Sequence, residues 1–135
     1  MAIKYALEPG LKAEEFRDVL VASTLGARRP VEDLARLDKM LRNAAIIVAA
    51  RDEAGKLVGI ARAISDFAYC TYLSDMAVDE EHQRQGIGKQ LIAEVRKAGG
   101  PRCRLFLVAA PASGSYYPGI GMEHVPACWS LQRSE

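Results

Sequence analysis

The sequence predicts one α/β domain in which helices cover the faces of a mixed sheet. Two observations predict it. The hydrophobic period switches from strand to helix and back, in the order strand, helix, helix, three strands, helix, strand, short helix, strand. A glycine turn at Gly86 and Gly88 opens the longest helical stripe. Alternation of this kind places helices against a sheet rather than in a separate bundle. The whole chain, residues 1–135, is expected to form a single domain, with no internal repeat, low-complexity tract or linker. At this length folding buries roughly two-thirds of the surface the unfolded chain exposes, enough for a core without covalent staples.

Each element has a local reason. Ile3 to Leu7 is a short apolar run ended by Pro9-Gly10, a strand and its turn. Over residues 12–22, Phe16, Val19 and Leu20 share one helical stripe, with Glu14, Glu15, Arg17 and Asp18 outside it. Gly26 breaks the pattern. Pro30 then stands where a first-turn proline is tolerated, Val31, Leu34, Leu37 and Leu41 return at helical spacing, and Asn43 closes the helix. Ile46 to Ala50 and Leu57 to Ile64, joined by the turn Asp52 to Gly55, predict an antiparallel hairpin. After Ser65-Asp66 comes a third strand of this run, Tyr69 to Val78. From Gly86 onward Ile87, Leu91, Ile92, Val95 and Ala98 form a core-facing stripe that Gly99-Gly100-Pro101 terminates. Leu105 to Ala109 lacks alternation, which predicts a strand buried on both faces. Pro111, Gly114, Pro118, Gly119 and Gly121 leave room for one helical turn at Ser113 to Tyr117, and His124 to Leu131 supplies the last one or two strands.

Bulk composition excludes several classes. Eighteen Lys and Arg against seventeen Asp and Glu give a net charge of +1, so neither nucleic acid nor an anionic membrane is expected as a partner. Cys70, Cys103 and Cys128 are odd in number and widely spaced, which predicts free thiols rather than a disulfide framework or a zinc site. His82 and His124 have no cysteine or carboxylate cluster at ligand spacing, so no metal is expected, and His82 is expected at the solvent. With no leader and no apolar run approaching ~18 residues, a cytoplasmic location is the default expectation.

The chemistry concentrates at Gln83-Arg84-Gln85-Gly86-Ile87-Gly88, between a strand and a helix. Glycines there let a ligand reach the backbone. The amides around Arg84, Gly86, Gly88 and Lys89 then converge with the positive end of the helix dipole, an anion site with Arg84 and Lys89 at its rim. A pyrophosphate is the natural occupant. The pattern lacks the third glycine and later acidic residue of a dinucleotide fingerprint, and no G-x-x-x-x-G-K-[ST] loop is present. A glycine-opened helix without a ligand remains the competing explanation of these residues alone.

The segment from Tyr72 through Val78 and Gln83-Arg84-Gln85-Gly86-Ile87-Gly88 to Ile92 resembles the central motif of the GNAT superfamily of acetyltransferases. Tyr116-Tyr117-Pro118-Gly119-Ile120-Gly121-Met122 resembles that family's aromatic-Tyr-x-x-x-Gly-Phe signature, with Met for Phe. The resemblance implies a sheet of six to seven strands, mixed but largely antiparallel, splayed between its fourth and fifth strands. Acetyl-CoA would enter the gap, its pantetheine arm pairing with Met76, Ala77 and Val78. Its pyrophosphate would rest on Gln83, Arg84, Gln85, Gly86, Ile87, Gly88 and Lys89, and the acetyl oxygen on the Met76 amide.

The implied reaction is direct transfer of acetyl to a primary amine in a ternary complex. Tyr117 falls at the family's general-acid position, and a phenol near pKa 10 stays protonated at neutral pH. Asp75 is the best-placed carboxylate for a base, unless it is structural. Tyr72 and Ser74 line the acceptor site or hold a water, Asp66 can grip an ammonium group, and Arg28 and Arg29 either meet an acidic group or are merely solvated. The phase of the strand carrying these residues cannot be counted, because a bulge would reset it. An acyl carrier role for Cys70 runs against the family's direct chemistry. A small acceptor is favoured over a protein, and a homodimer through Met122 to Leu131, with Trp129, is expected. The alternative is an acyl-CoA-binding sensor or interaction protein without turnover. The family's frequent Asn after the fifth strand is replaced by Ala110, and Pro118 follows Tyr117.

Overall fold

The computed structural model describes residues 2–135 and arranges the chain as β1 Lys4–Leu7, α1 Ala13–Ala22, α2 Leu34–Arg42, β2 Ile46–Arg51, β3 Leu57–Ser65, β4 Cys70–Val78, α3 Ile87–Gly99, β5 Arg104–Phe106 and α4 Tyr116–Gly119. The strands form one sheet in the order β1-β2-β3-β4-β5. Pairing is antiparallel from β1 through β4, and only β4 with β5 is parallel.

Strand alternation divides the core in two. Ile47, Ala49, Leu57, Ile60 and Ala77 face α1 and α2, packing on Phe16, Val19, Leu20, Leu37 and Leu41. Ile46, Val48, Ala50, Ala61, Ala63 and Leu73 face α3, packing on Ile87, Leu91, Ile92 and Val95. The central strands are buried on both faces, which is why β2 and β3 read as continuous apolar runs. Helix ends follow local chemistry. Glu14 and Glu15 sit in the first turn of α1, where the helix dipole favours acid. Asp33 caps α2, its side chain accepting from Arg36 N–H.

Several sequence expectations need correction. Pro30 lies in a turn ahead of α2 rather than in its first turn, because Asp33 supplies the stronger start signal. Among the described residues the sheet has five strands, not six to seven. β5 is short, and its residues are exposed or half-buried rather than enclosed on both faces. Past it, Pro111 opens a 3-10 turn, Pro111–Ser113, that carries the chain out of the sheet. Among the described residues no strand forms over 124–131, where Pro126 lacks an amide donor. This tail is largely exposed, with Trp129 at 91%.

Candidate functional site

The site begins where β5 stops. Cys70, Thr71 and Tyr72 pair with Arg104, Leu105 and Phe106, and the rings of Tyr72 and Phe106 meet at 5.5 Å across the last of these pairs. From Leu73 to Val78, β4 has a strand partner on its β3 side alone among the described residues. The Asp79 amide donates to Val58 on that side. Alternation then turns the amide and carbonyl groups of Met76 and Val78 toward the opening. Gln83 Nε2 reaches the Val78 carbonyl at 3.1 Å, while the Met76 backbone groups remain available to a ligand.

A bulge sets which side chains face where. Arg62 pairs with Asp75 but Ala63 pairs with Leu73, so Ser74 is the extra residue on β4. Above it Met76 and Val78 pack toward α3 and Ala77 toward α1 and α2. Below it Leu73 packs toward α3, which sends Tyr72 to the opposite face. Ser74 and Asp75 both bond Arg62 on that opposite face. The phase that counting could not fix therefore places Tyr72, Ser74 and Asp75 together, on the side of α1 and α2.

At the other end of the opening, Gly86 caps α3 with φ of 82°, and Arg84 precedes it at 63°. Left-handed backbone at both positions folds the loop tightly over the helix start, and glycine adopts it without strain. Gln90 N–H is the first to bond back into the turn, to Gly86. Among the described residues, the amides of Gln85 through Lys89 have no acceptor, and they point along the dipole of a thirteen-residue helix. Arg84 and Lys89 are exposed at the rim. This donor set fits phosphate oxygens. His82, expected at the solvent, is instead half-buried, with Nδ1 lacking a partner among the described residues.

The two tyrosines of α4 divide their surroundings. A Cβ placed on Gly88 would lie 2.7 Å from Tyr116 Oη and 3.4 Å from Met76 Cε. The Tyr116 hydroxyl thus stands between the α3 start and the open edge of β4. Tyr117 packs against the α3-side core, its ring edge-on to Tyr116 at 5.2 Å. Burial pushes both phenols above their ordinary value, and for Tyr117 the neighbouring Tyr116 adds to the rise.

Asp75 is the most enclosed of the expected residues. Its carboxylate is fully buried, one oxygen taken by Arg29 Nε and the other by Arg62 Nε. Arg62 donates further to Ser74 Oγ at 2.9 Å and to the Met40 carbonyl at 3.4 Å. Arg29 donates to the Ser74 carbonyl at 2.7 Å. Asp66 stands apart from this group. Its Oδ1 accepts from the amides of Ala68, Tyr69 and Cys70, and these bonds hold its carboxyl below the usual range. Arg28 is exposed beside Arg29. Sequence reasoning missed Arg62, although a lone arginine inside the apolar run Leu57 to Ile64 is the signal that a buried charge partner exists. It also gave Tyr116 no role beyond its place in the tail motif.

Among the described residues no group of three potential ligands can hold a metal, and no helix is long and apolar enough to cross a membrane.

An open strand edge beside a glycine-capped helix with unpaired amides defines an α/β domain suited to an extended, phosphate-bearing ligand. The acetyltransferase (GNAT) domain family matches residues 42–121, more than half of the chain, and the chain belongs to that family. It is 37% identical over 73 residues to GCN5-related N-acetyltransferase 2, chloroplastic, of Arabidopsis thaliana, a match covering 53% of this chain and 28% of the relative. It is 34% identical over 95 residues to the uncharacterized N-acetyltransferase ycf52 of Pyropia yezoensis, covering 65% of this chain and 53% of the relative. The chain therefore spans about half or less of the curated relatives it matches. Among solved structures, a GNAT-family acetyltransferase from Streptococcus pneumoniae superimposes with a TM-score of 0.76 at 21% identity, covering 99% of this chain and 98% of that one. An aminoglycoside N-acetyltransferase in complex with CoA gives 0.76 at 19%, covering 98% and 95%. A ribosomal-protein-alanine N-acetyltransferase from Brucella melitensis gives 0.71 at 22%, covering 98% and 100%. These likenesses establish the shared fold.

Proposed function

We propose that this protein transfers an acetyl group from acetyl-CoA to a primary amine of a small acceptor, by direct attack in a ternary complex. The observation that carries this reading is the open edge of β4 leading to the unpaired amides of the α3 start. When bound, acetyl-CoA supplies an activated thioester and an anionic pyrophosphate. Toward that molecule, the amides of Gln85 to Lys89 donate to phosphate oxygens, and Arg84 and Lys89 add charge. Met76 and Val78 offer backbone groups to an amide-bearing arm. The Met76 N–H faces the opening and would be free to meet negative charge developing on the acyl oxygen, the contact that lowers an acyl-transfer barrier.

A tyrosine of α4 then gives its proton to the departing thiolate. Tyr117 holds the position the motif assigns to this acid. Tyr116 is the second reading, favoured by its hydroxyl at Gly88. Raised phenol pKa values keep either group protonated, so loss of this acid lowers activity only as pH rises past the ordinary tyrosine value of about 10. Tyr117→Phe and Tyr116→Phe are compared by kcat. The donor's loss costs at least ~10-fold, in line with the usual worth of a general acid, while the other change leaves kcat within about twofold. Asp75 does not take the amine's proton in this scheme, because both of its oxygens are already engaged. Tyr72 and Ser74 instead line the approach of the amine and a relaying water.

Calorimetry with acetyl-CoA, followed by a thiol-release assay over an amine library, tests the proposal. Absence of binding below ~1 mM, a very weak affinity on the free-energy scale, would overturn the cofactor assignment. Binding without thiol release from any amine would favour the non-catalytic sensor. Homodimerisation through the exposed tail remains part of the proposal, and light scattering reads it.

A further inference from the structure

The carboxylates expected to meet a cationic acceptor are already committed. Asp66 is bound by three amides of its own loop. Asp75 is shared by Arg29 and Arg62. In the loop between α1 and α2, Asp33 caps α2, which leaves Glu32 as the remaining exposed carboxylate of that loop. The balance at the bulge is two guanidiniums against one carboxylate, an excess of one positive charge. Arg62 carries its share in the interior, with its side chain 8% exposed, whereas Arg29 is 21% exposed. Arg29 also bonds the Ser74 carbonyl, two residues from the Met76 amide at the open edge. The excess charge therefore emerges on the face shared with Tyr72 and Ser74.

From this arrangement we infer that Arg29 binds a carboxylate carried by the acceptor, so that the acceptor is a small amine bearing its own acid. The inference rests on the acetyl-transfer reading and names the acceptor class for it. Arg29 uses one N–H each on Asp75, the Ser74 carbonyl and the Arg28 carbonyl. Its fork has five N–H groups, so donors remain for an incoming anion. A monoanionic carboxylate matches one excess charge. A dianionic phosphate would overcompensate it, since exposed Arg28 is screened by solvent. The same cationic surroundings disfavour an acceptor that brings a second positive charge and no acid. Polycationic acceptors fit poorly here.

The test measures thiol release by the full chain at saturating acetyl-CoA, with amines matched except for the acid. The pairs are phenylalanine with phenethylamine, lysine with cadaverine, and phosphoethanolamine with ethanolamine, with spermidine as the polycation. Rates are compared at equal concentrations of neutral amine. The carboxylate member is expected to exceed its partner at least ~10-fold in kcat/KM, a difference of about 1.4 kcal/mol. Arg29→Lys is expected to shrink that ratio through KM. Glu32→Gln should leave the ratio as it is. Equal or better turnover of the uncharged partners or spermidine overturns the inference, and preference for phosphoethanolamine alone overturns the carboxylate assignment. If acetyl-CoA binds but no amine reacts, the transfer reading fails separately. Titration of the CoA-loaded protein with N-acetylphenylalanine and N-acetylphenethylamine, followed by NMR, then decides the subsite. Preferential binding of the acid supports it, and equal binding overturns it.

Discussion

Asp75→Asn is expected to lower the melting temperature sharply while leaving the acetyl-CoA site intact. The substitution keeps the shape of the side chain and removes its charge. Arg29 and Arg62 would then face each other across a neutral amide, with Arg62 buried and unable to recover water. Removing one member of a buried ion pair typically costs about 3–5 kcal/mol, more than the pair itself contributes, because the remaining charge is left uncompensated. For a domain of this size that is roughly 10–20 °C in Tm. The double variant Asp75→Asn with Arg62→Met should recover part of the loss, since it removes the stranded charge. Additive losses would show that the two residues do not act as a unit. If Asp75 were also the base, Asp75→Asn would in addition remove the acidic limb of the kcat profile. The thermal shift and the pH profile therefore separate an anchor from a base with one variant.

The same network explains why some of the site was legible in the sequence and some was not. The glycine turn was readable because the cause is local. Gly86 needs a left-handed backbone, Gly88 needs room, and both lie at a strand-to-helix junction visible in the hydrophobic period. The hairpin and α3 were readable for the same reason, since β2, β3 and α3 carry unbroken periodic patterns. The role of Asp75 was not local. It depends on Arg29 and Arg62, 46 and 13 positions away in the chain, and on a bulge that turns Ser74 and Asp75 to one face. The end of the sheet was misread because apolar residues at 105–109 and 124–131 resemble strands. Pairing with β4 instead stops at Phe106, and Pro126 interrupts the second run.

Gly88→Val is expected to abolish measurable acetyl-CoA affinity, a loss of at least ~100-fold or about 2.7 kcal/mol, in a protein that still folds. The two glycines of the loop tolerate substitution differently. At Gly86 nothing lies within 4 Å of an added Cβ, yet φ is +82°, so any side chain there strains the backbone by about 1–2 kcal/mol. At Gly88 the added Cβ meets Tyr116 Oη at 2.7 Å and Met76 Cε at 3.4 Å. Both contacts are the far ends of side chains that can swing aside, so the fold absorbs the change. The Tyr116 hydroxyl and the Met76 methyl border the opening between α3 and β4, so displacing them and adding the valine methyls would crowd the proposed path of the pantetheine arm. Gly88→Ala, with a single methyl, should weaken binding only a few-fold. Calorimetry and thermal melts on Gly86→Ala, Gly88→Ala and Gly88→Val therefore form a graded set. Stability should fall mainly in the first and affinity mainly in the last. Undiminished affinity in Gly88→Val would place the ligand elsewhere than the gap between β4 and the start of α3.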